Sequence, residues 1–148
     1  MIKNERQFLA TKAQLASMEK ALTVAKAENT SMDSTLHSAM IEGMKSLSEE
    51  LTQEISDYEN LKKKGPDAII VNDLEELPAA LIKARIAHNL TQKQLAKSLR
   101  LSHQQIQKYE KEDYRGVSFN RIVQIAKTLH IKVNATDEWN PTKETKVS

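Results

Sequence analysis

The sequence contains no cysteine, which excludes disulfide bonds and thiolate metal sites. It has only three glycines, Gly43, Gly65 and Gly116, so it holds no glycine-rich phosphate-binding loop. Prolines number three and aromatic residues six, while alanine, leucine, lysine, glutamate and glutamine are abundant. Because these abundant residues favour helices, we expect an all-α protein with a modest aliphatic core.

Long apolar runs are also missing. No stretch approaches the roughly 18 consecutive apolar residues that a membrane-spanning helix needs. The first residues, Met1 to Gln7, lack the apolar segment of a signal peptide. These features predict a cytoplasmic protein.

Catalytic and metal-binding patterns are absent from the sequence as well. The four histidines, at positions 37, 88, 103 and 130, do not have the spacing of metal ligands. Nothing places a serine beside a base, and the clustered carboxylates fall on a predicted helix surface. We therefore expect no enzyme activity, no metal and no cofactor.

Charge is distributed unevenly along the chain. Residues 1–77 contain nine Lys and Arg against fourteen Asp and Glu, a net charge of −5. Residues 78–132 contain eleven against three, a net charge of +8. Such a basic segment suits a polyanionic partner, because binding phosphates releases their condensed counterions.

The first 65 residues predict an antiparallel helical hairpin. Phe8, Leu15 and Leu22 recur every seven residues, which predicts one helix over residues 5–28. A polar turn follows, and an apolar stripe predicts a second helix over residues 34–63, ended by Gly65-Pro66.

A two-helix hairpin buries little surface by itself, so we expect its apolar edge to bind a partner. That partner is either a second copy of the chain or a different protein; a spacer arm without a partner is the alternative. The residues predicted to bind it are Phe8, Leu15, Met18, Leu22, Met40, Met44, Leu47 and Leu51.

Two segments flank the basic part of the chain. Residues 66–76 are predicted to form a linker, whose β-prone run 67–72 is either irregular or an isolated strand. Residues 133–148 are predicted to be a flexible polar tail, in which Trp139 has the bulk to dock on the domain or on a partner.

Residues 77–132 carry the pattern of four short helices. Pro78 suits the first position of the first helix, and Thr91, Ser102 and Ser118 suit the N-caps of the next three. The fourth helix has an apolar face that we expect to be buried. Its members are Phe119, Ile122, Ile125, Ala126 and Leu129.

Three motifs in this segment resemble the Cro/C1-type helix-turn-helix family, also called XRE. They are Thr91-Gln92-x-x-Leu95-Ala96-x-x-Leu99, Leu101-Ser102-x-x-x-Ile106-x-x-Tyr109-Glu110 and Ser118-Phe119-x-x-Ile122-x-x-Ile125-Ala126-x-x-Leu129. The resemblance covers residues 77–131, slightly over a third of the chain. It implies a four- or five-helix DNA-binding domain whose recognition helix begins after Ser102.

The resemblance also implies a role for individual residues. Gln92 would brace a backbone phosphate and a recognition-helix side chain. Ser102, His103, Gln104, Gln105, Gln107 and Lys108 would approach bases or nearby phosphates, where Gln can pair with adenine and Lys with guanine. Lys93, Lys97, Arg100, Arg115 and Arg121 would contact phosphates without reading sequence.

Two features depart from the family pattern. Arg100 stands where the family usually has glycine, because that turn residue tends to adopt positive φ. A residue with a Cβ costs on the order of 1 kcal/mol there. The second departure is that no clear fifth helix follows Ile131.

The sequence thus predicts a sequence-specific DNA-binding repressor that acts as a dimer or higher oligomer on an inverted repeat. The alternative is an antitoxin of the HigA type, whose acidic hairpin neutralises a basic toxin and which represses its own operon. A third hypothesis is that the hairpin only dimerises the DNA-binding domains.

Overall fold

The computed structural model describes residues 1–28 and 33–134. Within these ranges the chain forms six α-helices and two short strands. This architecture confirms the predicted all-α class. None of the helices in the described ranges combines the length and the apolar character needed to span a bilayer.

The first two helices form the predicted hairpin. Helix α1 spans Glu5–Ala27 and helix α2 spans Ser34–Lys64, each within one residue of its predicted bounds. The Asn4 side chain caps α1 by accepting a hydrogen bond from the Gln7 backbone N–H at 2.9 Å. Helix α2 ends at Gly65, whose φ of 73° lies in the left-handed region that glycine adopts at low cost.

The hairpin buries much of its own apolar stripe. The rings of Phe8 and Tyr58 stack with centroids 5.0 Å apart. Leu51 is buried, whereas Met40 and Leu47 on the same helix are exposed. The other residues predicted to bind a partner, Leu15, Met18, Leu22 and Met44, are half-buried. Leu51 is therefore buried, Phe8 is half-buried against Tyr58, and Met40 and Leu47 lie on the surface of the hairpin.

The predicted linker contains more structure than expected. A 3₁₀ turn at Pro66–Ala68 leads into strand β1, Ile70–Val71, and a second 3₁₀ turn covers Leu74–Glu76. Strand β1 pairs in parallel with strand β2, Lys132–Val133, with Val71 opposite Val133.

An isolated strand in the linker was therefore the wrong expectation. The pairing partner lies about 60 residues further along the chain, so no local pattern could identify it. Val71 is fully buried by this arrangement. Of the predicted tail, Val133 lies in β2, and residues 135–148 with Trp139 lie outside the described residues.

The basic segment folds as four helices around one aliphatic core. They are α3 (Leu77–Ala87), α4 (Gln92–Ser98), α5 (His103–Lys111) and α6 (Phe119–Thr128). The largest fully buried aliphatic side chains are Leu81, Ile82, Leu95, Ile106, Ile125 and Leu129. In the described residues after α6 the chain continues as β2, and no fifth helix is present there.

The hairpin shares this core. Ile2, Ile55 and Tyr58 belong to the same cluster of buried residues as Leu81 and Ile106. The end of the hairpin where α1 begins and α2 ends therefore packs directly on the four-helix segment.

One predicted core residue, Phe119, is in fact exposed. It is the first residue of α6, and 72% of its surface is accessible. Burial increases along this helix from half-buried Ile122 to fully buried Ile125. The first turn of α6 thus extends past the helices that cover the rest of its apolar face, which a periodic pattern alone does not reveal.

Candidate nucleic-acid interface

Helices α4 and α5 begin with the same local motif, a capping box. The Gln94 backbone N–H donates to Thr91 Oγ1 at 3.1 Å, and the Thr91 N–H donates to Gln94 Oε1 at 2.8 Å. At the start of α5, the Gln105 N–H donates to Ser102 Oγ at 3.2 Å and the Ser102 N–H donates to Gln105 Oε1 at 3.0 Å. Each reciprocal pair satisfies backbone donors at the start of its own helix, so the two pairs fix where α4 and α5 begin.

The capping role bears on two of the predicted DNA contacts. The Ser102 hydroxyl also donates to Gln105 Oε1 at 3.2 Å, so these side chains are bound to each other. Gln105 retains its amide N–H groups as donors for another partner. The two residues thus position the recognition helix in the structure.

The turn between α4 and α5 is tight and left-handed at Arg100. This residue has a φ of 56°, which confirms the conformation implied by its place in the family pattern. The Leu101 N–H closes the turn by donating to the Ala96 carbonyl at 2.9 Å. Arg100 itself is exposed.

Replacing Arg100 by glycine is expected to stabilise the fold and to weaken DNA binding. Relief of left-handed strain, about 1–2 kcal/mol, exceeds the added backbone entropy of the unfolded chain, about 0.4–1 kcal/mol. We expect the free energy of unfolding to rise by about 0.5–1 kcal/mol. Urea denaturation measures this gain, and Arg100→Ala is the matched control, since it removes the charge but keeps the strain. Equal stability of the two variants would contradict the strain argument.

Helix α5 has one buried face and one polar exposed face. Ile106 and Glu110, one turn apart, are fully buried. Gln104, Gln107 and Lys108 are exposed on the other side, and His103 is half-buried. The amides and the ammonium group that the sequence predicts to read DNA therefore lie together on an accessible face.

The predicted phosphate contacts differ in their exposure. Lys93, Lys97 and Arg115 are exposed. Arg121, in the first turn of α6, is half-buried and its Nη1 donates to Gln124 Oε1 of the same helix at 2.6 Å. Lys93 lines a common cleft with Gln92, His103 and Gln107, so the structure brings these four predicted residues together.

Gln92 is the predicted residue whose side chain points most clearly into the protein. It is buried, and its Nε2 donates to Glu110 Oε2 at 2.8 Å. Glu110 lies on α5, so this contact braces α4 against the recognition helix. Contact with a phosphate by Gln92 stays a prediction.

A buried ion pair, which no motif in the sequence predicts, fixes the recognition helix to α3. Arg85 on α3 donates from Nε to Glu110 Oε1 at 2.5 Å and from Nη2 to Glu110 Oε2 at 2.8 Å. Both side chains are almost completely buried. Arg85 Nη1 also donates to the Leu90 carbonyl at 2.8 Å. The sequence gives one indication of the pair: Arg85 in α3 and Glu110 in α5 are charged residues at positions whose helical spacing from apolar neighbours predicts burial.

The N-terminal segment ties the hairpin into the same network. The Lys3 carbonyl accepts a hydrogen bond from Arg85 Nη2. Lys3 Nζ donates to the Glu110 carbonyl at 2.6 Å and to Asp113 Oδ1 at 2.9 Å. The hydrogen bond and the positive charge of Lys3 lower the pKa of the Asp113 carboxyl. Lys3 thus joins the N-terminal segment to the C-terminal end of α5.

Comparison with known protein families agrees with this geometry. Residues 81–134 match the model of a family described as Helix-turn-helix. No curated protein and no solved structure matches the chain. The matched residues, about a third of the chain, contain α4, the left-handed turn and α5. Residues 81–134 therefore belong to the helix-turn-helix family, and they give the chain a DNA-binding domain of the Cro/C1, or XRE, type.

Proposed function

We propose that the chain is a sequence-specific repressor that inserts α5 into the major groove of DNA. The observation that carries this proposal is the division of α5 into two faces. Ile106 and Glu110 anchor the inner face, and Gln104, Gln107 and Lys108 occupy the outer one. Gln and Lys side chains recognise adenine and guanine edges in that groove.

The charge of the helix-turn-helix segment supports the same proposal. Residues 78–132 have a net charge of +8, and Lys93, Lys97 and Arg100 are exposed near the start of α5. These cations set the register of the domain by contacting phosphates. Two copies related by a two-fold axis place their α5 helices about 34 Å apart, so the proposed operator is an inverted repeat spaced by one turn of DNA.

Gln104→Ala is expected to relax sequence preference, and Lys93→Ala to weaken binding to all duplexes alike. Loss of one bidentate base contact costs about 1–3 kcal/mol at a single position of the site. Loss of one phosphate contact instead makes the negative slope of log affinity against log salt concentration less steep by about 1. Fluorescence anisotropy on duplexes selected from a random pool, and on their single-base variants, measures both effects.

The unsubstituted chain must first select a consensus from the pool. Binding without preference over random duplex, or without dependence on salt, would contradict the proposal. A Gln104→Ala variant that lost affinity equally on every duplex would contradict the role given to Gln104.

Exposed apolar residues on the hairpin favour a second candidate function, toxin neutralisation. Leu9, Val24 and Leu36 are each more than half exposed, and α2 carries the acidic residues Glu42, Glu49 and Glu50. Such a surface suits a basic partner protein.

The variants Leu9→Glu and Leu36→Glu, both at exposed positions, test the alternatives. Loss of the dimer, measured by its mass in solution, supports a hairpin that dimerises. Loss of binding to the product of a neighbouring reading frame supports an antitoxin.

A further inference from the structure

The end of the hairpin that packs on the four-helix segment borders the predicted DNA-reading face. A cleft of about 520 Å³ separates the two parts. Its hairpin wall includes Asn4, Arg6 and Lys62, and its opposite wall includes Lys93, His103 and Gln107. A side chain of the hairpin therefore lies beside the first turns of both α4 and α5.

We infer that Arg6 extends the DNA-binding surface by contacting a backbone phosphate next to the one that Lys93 contacts. This inference rests on the proposed function, because it assigns a further contact to the same duplex. It gives the hairpin a role in DNA binding that the charge of residues 1–77 as a whole does not suggest.

The charges around the cleft favour an anion. Lys62 Nζ lies 3.4 Å from Glu5 Oε2, and the Tyr58 hydroxyl donates to the same oxygen at 3.3 Å. Glu5, the one carboxylate among the residues that line the cleft, is thus paired with Lys62. Arg6 is exposed, and within residues 1–28 and 33–134 its guanidinium makes no hydrogen bond or ion pair.

The position of Arg6 is fixed relative to the recognition helix. Lys3, three residues earlier, donates to the Glu110 carbonyl, and its own carbonyl accepts from Arg85. Asn4 then caps α1, so Arg6 lies in the first turn of a helix whose start is anchored to α3 and α5. An arginine on a fixed backbone gains more from a phosphate than one on a mobile segment, because less backbone conformational entropy is lost on binding.

The hairpin is also polarised in charge. Its anchored end carries six cations, Lys3, Arg6, Lys12 and the run Lys62 to Lys64, against four carboxylates, Glu5, Glu54, Asp57 and Glu59. Further negative charge, at Glu42, Glu49 and Glu50, lies towards the other end of α2. The end that borders α5 therefore matches the sign of the helix-turn-helix segment.

The test compares Arg6→Ala with Lys20→Ala and Lys93→Ala in salt-dependent anisotropy on the selected duplex. Lys20 is an exposed cation of the same helix, about 21 Å further along its axis. We expect Arg6→Ala to weaken binding about 3- to 10-fold. We also expect it to make the negative slope of log affinity against log salt concentration less steep by about 0.9. Lys20→Ala should change neither value, and Arg6→Lys should retain much of the affinity.

The controls separate the failure of this inference from that of the proposed function. If Lys93→Ala weakens binding while Arg6→Ala behaves like the unsubstituted chain, the inference is overturned and the proposed function stands. If the unsubstituted chain binds no duplex, both are overturned. An unchanged urea transition for Arg6→Ala, which we expect for an exposed residue, assigns any loss of affinity to the contact itself.

Discussion

Replacing Glu110 by alanine is expected to lower the free energy of unfolding by about 3–5 kcal/mol. The change leaves the buried guanidinium of Arg85 without its counter-charge. It also removes the acceptor of the Gln92 amide. A buried charge that loses its partner retains the full cost of its desolvation, so the loss exceeds that of an ordinary hydrogen bond.

Urea denaturation followed by circular dichroism measures this loss. The double variant Arg85→Met, Glu110→Leu is the control, since apolar side chains of similar size leave no charge to compensate. We expect the double variant to be more stable than Glu110→Ala alone. A Glu110→Ala variant within about 1 kcal/mol of the unsubstituted protein would contradict the buried network.

Replacing Tyr58 by alanine is expected to cost about 3–5 kcal/mol and to destabilise the hairpin and the helix-turn-helix segment together. Tyr58 is buried, stacks on Phe8 and belongs to the same core as Leu81 and Ile106. Its loss opens a cavity where the hairpin meets α3.

Amide hydrogen exchange distinguishes joint from separate unfolding. We expect faster exchange in Tyr58→Ala at core amides of α3 and α5 as well as those of α2. Leu36→Ala, at an exposed position of the same helix, should stay within about 0.5 kcal/mol of the unsubstituted protein. Protection lost in the hairpin alone would show that the two parts unfold independently.

The helices could be predicted because their ends depend on neighbouring residues. Thr91, Ser102 and Ser118 each cap a helix, as predicted, by accepting a hydrogen bond from a backbone N–H three residues later. Such caps are visible in a short stretch of sequence. The left-handed turn at Arg100 followed from the family pattern in the same way.

Contacts between distant residues could not be predicted. Arg85 and Glu110 are 25 residues apart, and Lys3 reaches Glu110 across 107 residues. In the sequence these are isolated charges, and only the packing of α1, α3 and α5 brings them together. The pairing of β1 with β2 was missed for the same reason.

The apolar patterns predicted which face of each helix is apolar. They did not predict whether another part of the chain covers that face. Phe119 fits the periodic face of α6 yet lies beyond the covered part of that helix. Leu51 fits the partner-binding stripe yet is buried within the hairpin. The outer residues of α5, which the sequence assigned to DNA, are exposed as that assignment requires; their contacts with bases stay predictions.

Titration of the ¹⁵N-labelled protein with its selected duplex, followed by NMR, tests most directly whether α5 reads DNA. We expect the largest chemical-shift changes at Gln104, Gln107 and Lys108, smaller changes at Lys93, and none at Glu42, in the first third of α2. Changes confined to the hairpin, with the amides of α5 unaffected at saturation, would contradict DNA reading by α5.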